Sequence, residues 1–181
     1  MALKSTVFKV NLSVSDVNRG YYEDHALILA RHPSENDLRM FLRIATFAMN
    51  AHEHLQFTKG LSEADEPDLW QIDLTGAIKH WIELGQPADK RIRQASGKAS
   101  QVTIVTYPKN AGLVWFEGVK DQLTRFKNLK VINLQILNES IISSMIDRSM
   151  NLTCVIDGED VMLTNGSETV NFLVTDLKSF A

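Results

Sequence analysis

The most informative stretch of the sequence runs from Pro67 to Gly85 and consists of PDLWQIDLTGAIKHWIELG. Two apolar-rich runs within it, Leu69–Leu74 and Ile78–Leu84, predict two strands. Thr75-Gly76 between them predicts a two-residue turn, so the stretch is typical of an antiparallel hairpin. In this register Trp70 faces Trp81, and Asp68 faces Glu83.

The facing pair of Asp68 and Glu83 is the strongest indication of chemistry. Directly opposed residues of an antiparallel pair point to the same side, with Cβ atoms about 5 Å apart. Two carboxylates at that distance repel each other unless a cation lies between them, and Mg²⁺ is commonly held by one or two carboxylates. The alternative is structural: a three-residue loop would turn Glu83 to the opposite face, and Asp68 would be a surface or capping residue.

Outward from this hairpin, strands and helices alternate. Toward the N-terminus we expect strands at Thr6–Ser15 and Tyr21–Leu29, then a helix capped by Ser34 and extending to Phe57. Toward the C-terminus the patterns predict helices at Ala88–Ser100, Ala111–Phe126 and Glu139–Arg148, and strands at Val102–Tyr107, Lys130–Ile136, Leu152–Ile156, Val161–Leu163 and Thr169–Val174. The predicted fold is therefore α/β (α+β), with a mixed sheet flanked by helices and extra antiparallel strands at both ends.

Bulk properties narrow the class of protein. The length of 181 residues predicts a single domain over 1–181, and the net charge of −3 gives no whole-molecule attraction to nucleic acid. The only cysteine, Cys154, lies in an apolar run and is expected in the core, so a disulfide framework is excluded. Because no apolar run approaches the ~20 residues of a membrane span, we expect a cytoplasmic protein with no membrane partner.

Several segments resemble the YaeQ family of small bacterial proteins. They include Ala30-Arg31-His32-Pro33-Ser34-Glu35, Leu55-Gln56-Phe57-Thr58-Lys59-Gly60-Leu61, Glu66-Pro67-Asp68-Leu69-Trp70 and Trp81-Ile82-Glu83-Leu84-Gly85-Gln86-Pro87. The resemblance covers essentially the whole chain. It implies a variation on the PD-(D/E)XK nuclease fold, with a restriction-endonuclease-like core. It implies no established cellular function, although a role in transcription elongation has been proposed for the family.

Carried onto this sequence, the nuclease motif has its first acid at Asp68 and its second at Glu83. The lysine of the motif would stand two residues after the second acid, where this chain has Gly85. In some members of the superfamily a basic residue of the next helix takes over. The candidates here are Lys90, Arg91, Gln94 and Lys98, of which Arg91 and Lys98 are the expected charge-neutralising groups.

Glu35 is a further candidate, because the first helix of the superfamily often brings a glutamate to the site. Its alternative is structural, since Glu35, Arg39 and Arg43 form an i, i+4 row of surface charges that can pair.

Two functions follow from these observations. The first is a Mg²⁺-dependent phosphodiesterase acting on nucleic acid, with Asp68 and Glu83 as metal ligands and Arg91 or Lys98 neutralising charge on the phosphate. The second is a non-catalytic binding or regulatory protein on a degenerate nuclease fold, which Gly85 and the net acidity favour. The sequence leaves the choice between DNA and RNA, and the oligomeric state, open.

Overall fold

The computed structural model describes residues 4–59, 61 and 63–181, in which ten strands join one sheet. The strands are β1 (Thr6–Asp16), β2 (Tyr21–Arg31), β3 (Leu55–Phe57), β4 (Leu69–Ile72), β5 (Ile78–Leu84), β6 (Ala99–Thr106), β7 (Leu129–Ile136), β8 (Ser149–Asp157), β9 (Asp160–Thr164) and β10 (Thr169–Lys178). The helices are α1 (Asp37–Met49), α2 (Asp89–Lys98), α3 (Lys109–Leu123) and α4 (Ile142–Met145). A 3-10 turn at Glu139–Ile141 precedes α4, so the helix expected to reach Arg148 is shorter than predicted.

The sheet has the strand order β2-β1-β8-β9-β10-β7-β6-β5-β4-β3. Three neighbouring pairs are parallel, namely β1 with β8, β5 with β6 and β6 with β7, and the other pairs are antiparallel. The two edge strands, β2 and β3, lie beside each other, so the sheet curves until it is nearly closed. This confirms the mixed α+β class. The expected terminal strands join the same sheet, but β1 meets the C-terminal strands in parallel, which the prediction of extra antiparallel strands missed.

Helix α1 occupies the inner face of the curved sheet. Its residues from Met40 to Ala48 are all buried, and they pack against apolar side chains from both halves of the sheet. A helix with nine consecutive buried residues needs such an enclosure, because an open side would leave apolar side chains in water. None of the described helices is long and apolar enough to cross a membrane.

The ends of α1 differ from those predicted. The N-cap is Asn36, whose Oδ1 accepts a hydrogen bond from the backbone N–H of Arg39 at 2.8 Å, and not Ser34. The helix ends at Met49, whereas the prediction carried it to Phe57. Residues 55–57 instead form β3, which pairs with β4. Their apolar spacing fits a helix and a short strand equally well, and the pairing with β4 decides between them.

Helices α2 and α3 cover the outer face of β5, β6 and β7, around Trp81, Val102 and Ile104. A Cβ at Gly112 would lie 2.7 Å from Oγ1 of Thr106, so the absence of a side chain lets α3 approach β6 closely. The central order β4-β5-α2-β6-α3-β7 is the predicted one.

The hairpin of β4 and β5 has the predicted register at its open end. Leu69 pairs with Ile82, and Trp70 pairs with Trp81. The connection, however, is a loop over residues 73–77, and the register shifts between Gln71 and Ile72. The predicted two-residue turn is therefore wrong, although its consequence for the tryptophan pair is right.

Asp73 supports the longer loop. Its Oδ1 accepts hydrogen bonds from the backbone N–H and hydroxyl of Thr75, at 2.8 and 2.6 Å, and from the N–H of Ala77 at 3.0 Å. The Thr75 hydroxyl, followed by Lys79, holds the pKa of Asp73 well below its ordinary value. A side chain that accepts three hydrogen bonds can stabilise a wide turn where the backbone alone would not.

Candidate functional site

Asp68 and Glu83 line one cleft at the end of the β4–β5 hairpin. Asp68 immediately precedes β4, and Glu83 is the penultimate residue of β5. The cleft has a volume of about 270 Å³, and its walls include Arg39 from α1 and Arg91 from α2. We call it the β4–β5 cleft. The structure therefore brings together Asp68, Glu83 and Arg91, as the sequence predicted.

The carboxylate of Asp68 is buried, and both of its oxygens have partners. Oδ1 lies 2.8 Å from Nη1 of Arg39, and Oδ2 accepts the backbone N–H of Leu84 at 2.8 Å. Burial alone would lower the pKa of Arg39, but the Asp68 carboxylate more than offsets this and raises it. Burial also raises the pKa of the neighbouring Tyr107 hydroxyl. Asp68 and Arg39 therefore form an ion pair in which both side chains are largely buried.

Glu83 is held in the same way by Arg91. The Nε of Arg91 lies 2.9 and 3.0 Å from the two oxygens of Glu83, and the indole N–H of Trp81 donates to Oε2 at 3.0 Å. The guanidinium also lies 5.0 Å from the centre of the Trp81 ring, in a cation–π contact. Its other nitrogens donate to the backbone carbonyls of Ala64 and Glu66, the latter at 2.7 Å. Arg91 thus ties α2, β5 and the segment before β4 together.

Behind the cleft, Glu35 pairs with two arginines of α1. Arg43 makes a bidentate contact with its carboxylate, at 2.8 and 2.6 Å, and Arg39 lies at 3.1 Å. The side chains of Glu35 and Arg43 are each only 1 % exposed. The expected row of charges does pair, but the expectation that it lies on the surface is wrong, because the curved sheet encloses this part of α1. Arg39 links Glu35 to Asp68, so the network continues to the cleft.

The remaining basic candidates lie elsewhere. Lys98, in the last turn of α2, is exposed and is not part of the cleft wall. Lys90 and Gln94, also on α2, do not line it either. Position 85 has a φ of +113°, a backbone conformation that favours glycine and strains any other residue. A lysine at the motif position would therefore need a different backbone.

A resident magnesium ion does not fit this arrangement. Each of the four carboxylate oxygens of Asp68 and Glu83 already accepts an N–H, and three of them face a guanidinium. An ion bound by these oxygens would have to lie against Arg39 or Arg91. Within the described ranges, no group of three or more His, Cys, Asp or Glu side chains is placed to hold a metal.

The electrostatic balance of the cleft is acidic. Its walls hold four carboxylates (Glu63, Glu66, Asp68 and Glu83) against two guanidinium groups, which gives a formal charge of −2. Such a cleft repels a phosphate group. The sequence indicated the two acids and Arg91 as site residues, but it indicated no site role for Arg39 or Tyr107. The i, i+4 spacing of Glu35 and Arg39 was the available signal for Arg39, and no local pattern marks Tyr107.

Known proteins resemble this chain over almost its entire length. A family profile described as "YaeQ protein" matches residues 1–174. The "Uncharacterized protein YaeQ" of Salmonella typhi is 37% identical over 175 residues, which is 97% of each chain. The protein of the same description from Escherichia coli (strain K12) is 36% identical, with the same coverage.

Solved structures give the same result. The crystal structure of YaeQ protein from Xanthomonas axonopodis pv. citri is 35% identical and superposes with a TM-score of 0.91, covering 97% of this chain and 99% of that one. The YaeQ structure from Pseudomonas syringae is 29% identical, with a TM-score of 0.86 and 97% coverage of both chains. Because the family profile spans nearly the whole sequence and the fold agrees with that of solved members, the chain belongs to the YaeQ family.

Proposed function

We propose that this chain is a binding or regulatory protein without nuclease catalysis, built on a restriction-endonuclease-like core. The order of β4, β5, α2, β6, α3 and β7 supports such a core. The observation that carries the proposal is the state of the two motif acids: Asp68 is paired with Arg39, and Glu83 is paired with Arg91.

In this pairing, the groups that a nuclease would use to bind a metal ion and a phosphate are bound to each other. A phosphodiesterase of this type would use two carboxylates to hold a divalent ion and a nearby cation to neutralise the phosphate. Here the cations sit directly on the carboxylates, and Arg91 is further tied to two backbone carbonyls. Its guanidinium would have to give up several hydrogen bonds before it could contact a substrate. The two arginines therefore have a structural role, because each holds one of the motif acids in place.

The acidic balance of the cleft also argues against phosphate as its ligand. Four carboxylates against two guanidinium groups oppose the approach of a nucleic-acid backbone, whose affinity for proteins comes mainly from lysine and arginine contacts. A partner that binds here through charge would have to be basic.

The test is a cleavage and metal-binding experiment with matched variants. Labelled single-stranded, duplex and branched DNA and RNA are incubated with the purified protein and Mg²⁺ or Mn²⁺, and the melting temperature is measured with each ion. We expect no cleavage and no metal-induced rise in melting temperature, because a ligand stabilises a fold only by binding to it.

The competing function, a metal-dependent phosphodiesterase, has its own signature in the same experiment. Metal-dependent cleavage that is lost in Asp68→Asn and Glu83→Gln, but retained in Asp89→Asn, would establish it and overturn the proposal. Asp89 is the matched control because it is an acid of α2 that lies outside the cleft and pairs with Arg93.

A further inference from the structure

A second cavity lies at the other end of α1, on the inner face of the sheet. It has a volume of about 320 Å³, within the range typical of small-molecule sites. It is bounded by the C-terminal end of α1 and by strands from both halves of the sheet, and we call it the inner cup. Its apolar wall consists of Met49, Ile132, Ile156, Val161 and Val174.

The polar groups of the inner cup fall into two sets, of which the first is already satisfied. Asp16 is buried, and Arg19 closes it with a contact of 2.5 Å to Oδ2 and a backbone hydrogen bond to Oδ1. The other nitrogens of Arg19 donate to the carbonyls of Ala48 and Ala51, where α1 ends. Arg19 and Asp16 are therefore structural, and they close one side of the cup.

The second set is open to a ligand. Lys130 and Asp176 form an ion pair at 3.3 Å, and their side chains are 33% and 54% exposed. An ammonium group has three N–H donors, so a single long contact leaves capacity for another partner. Thr103 lies in the same cavity, and its hydroxyl is 2.7 Å from Nε2 of His80. The Lys130 ammonium and the Asp176 carboxylate therefore lie next to each other and beside the apolar wall of the inner cup.

The charge pattern selects the class of ligand. A lone anion on Lys130 would meet the carboxylate of Asp176, and a lone cation on Asp176 would meet the ammonium of Lys130. The whole lining holds three acids (Asp16, Glu159 and Asp176) and two bases (Arg19 and Lys130), so its formal charge is −1 and it attracts no simple anion. A zwitterion satisfies both members of the pair at once.

We propose that the inner cup binds a free α-amino acid with an apolar side chain. Its carboxylate lies on Lys130, its ammonium group lies on Asp176, and its side chain packs against the apolar wall. This inference rests on the proposed function as a binding protein, for which it names a site and a ligand class away from the β4–β5 cleft.

The test is calorimetry with L-leucine and with two analogues that each lack one charge, isocaproate and isoamylamine. We expect leucine to bind, and each analogue to bind roughly tenfold more weakly or worse, because a charged hydrogen bond is lost. Methionine and phenylalanine extend the series to other apolar side chains. Equal binding of isocaproate and leucine would overturn the zwitterion assignment, and so would failure of every apolar amino acid to bind at millimolar concentration.

Variants locate the site. Lys130→Met and Asp176→Asn should each weaken leucine binding roughly tenfold or more, and Val174→Phe should abolish it by filling the cup. Lys120→Met is the matched control, because Lys120 pairs with Glu117 on the surface of α3, outside the cup. Each variant is checked for an intact melting transition. Leucine binding that persists in folded Lys130→Met would overturn the proposal.

The two proposals fail separately. Nucleic-acid cleavage that depends on Asp68 and Glu83 would overturn the non-catalytic function whatever the inner cup binds. Absence of amino-acid binding, with no cleavage, would overturn the inner cup alone.

Discussion

His80 is a half-buried base near the ammonium group of Lys130. It lies on β5, and its imidazole contacts the hydroxyl of Thr103 on β6. Burial, and then the nearby Lys130 ammonium, lower the pKa of His80 to about 4 from an ordinary value of 6.5. The imidazole is therefore neutral in the folded protein at neutral pH.

This shift predicts acid sensitivity. Between pH 6.5 and about 4 the unfolded chain binds a proton at His80 that the folded chain does not, so stability is complete above pH 6.5 and is lost as the pH falls toward 4. The loss should be on the order of 2–3 kcal/mol. Urea unfolding of the wild type and His80→Gln across this interval measures it, and the variant should show a smaller pH dependence.

His54→Gln is the control, because His54 is a partly exposed histidine whose ring pairs with Glu53 on the surface. An identical pH dependence in the wild type and His80→Gln would show that His80 does not contribute.

At the scale of elements, α1 combines an apolar helix with a buried charge network. Its enclosure by the sheet removes Glu35 and Arg43 from water, and each must then find its partner inside. Nη1 of Arg43 is buried without a hydrogen-bond partner among the described residues, so the guanidinium depends on the contacts that Nε and Nη2 make with Glu35. Removing one member leaves an uncompensated charge, which costs more than the intact pair contributes.

Glu35→Gln should therefore destabilise the protein by about 3–5 kcal/mol, because it leaves Arg43 buried without its carboxylate. Chemical denaturation measures the change in the free energy of unfolding. Glu53→Gln makes the same chemical change at a side chain that is 77% exposed, and it should alter stability by no more than about 0.5 kcal/mol. Equal effects of the two substitutions would contradict the role assigned to the network.

In the β4–β5 hairpin, the strand register could be predicted from the sequence, whereas the loop length and the partners of the two acids could not. The facing of Trp70 and Trp81 could be predicted, because apolar alternation and turn residues are local signals. The loop length could not, since it depends on the hydrogen bonds that the Asp73 side chain accepts. The placing of Asp68 and Glu83 in one cleft likewise followed from the register. Their pairing with arginines did not, because Arg39 reaches Asp68 only through the packing of α1 in the curved sheet.

At the scale of the whole molecule, one sheet contains both the N-terminal strands β1 and β2 and the C-terminal strands β8 to β10. Strand β10 connects β9 to β7, and α1 contacts apolar side chains on both sides of this connection. The three tryptophans, Trp70, Trp81 and Trp115, all lie on β4, β5 and α3, whereas Cys154 lies on β8 in the other half of the sheet. These residues therefore report on opposite halves.

We predict that the two halves unfold together, because they share one core. Cys154 is buried, and burial, with a smaller contribution from Asp16, raises its pKa to about 12, so the native thiol should not react with alkylating reagents. Pulsed alkylation of Cys154 and tryptophan fluorescence should give the same urea midpoint. Cys154 labelling at a clearly lower urea concentration than the fluorescence change would show that the terminal half opens independently.

The parallel pairing of β1 with β8 also determines how long β1 must wait for its neighbouring strand during synthesis. Asn11 lies beside Asn151, so the ribosome must add 140 residues after Asn11 before its neighbour exists. At bacterial or eukaryotic elongation rates this takes roughly 7–28 s. During that interval the β1–β2 hairpin has emerged with its apolar side uncovered, and the last strands must complete the sheet before α1 is enclosed. The newborn chain therefore keeps apolar surface exposed to water until β8, β9 and β10 have left the ribosome.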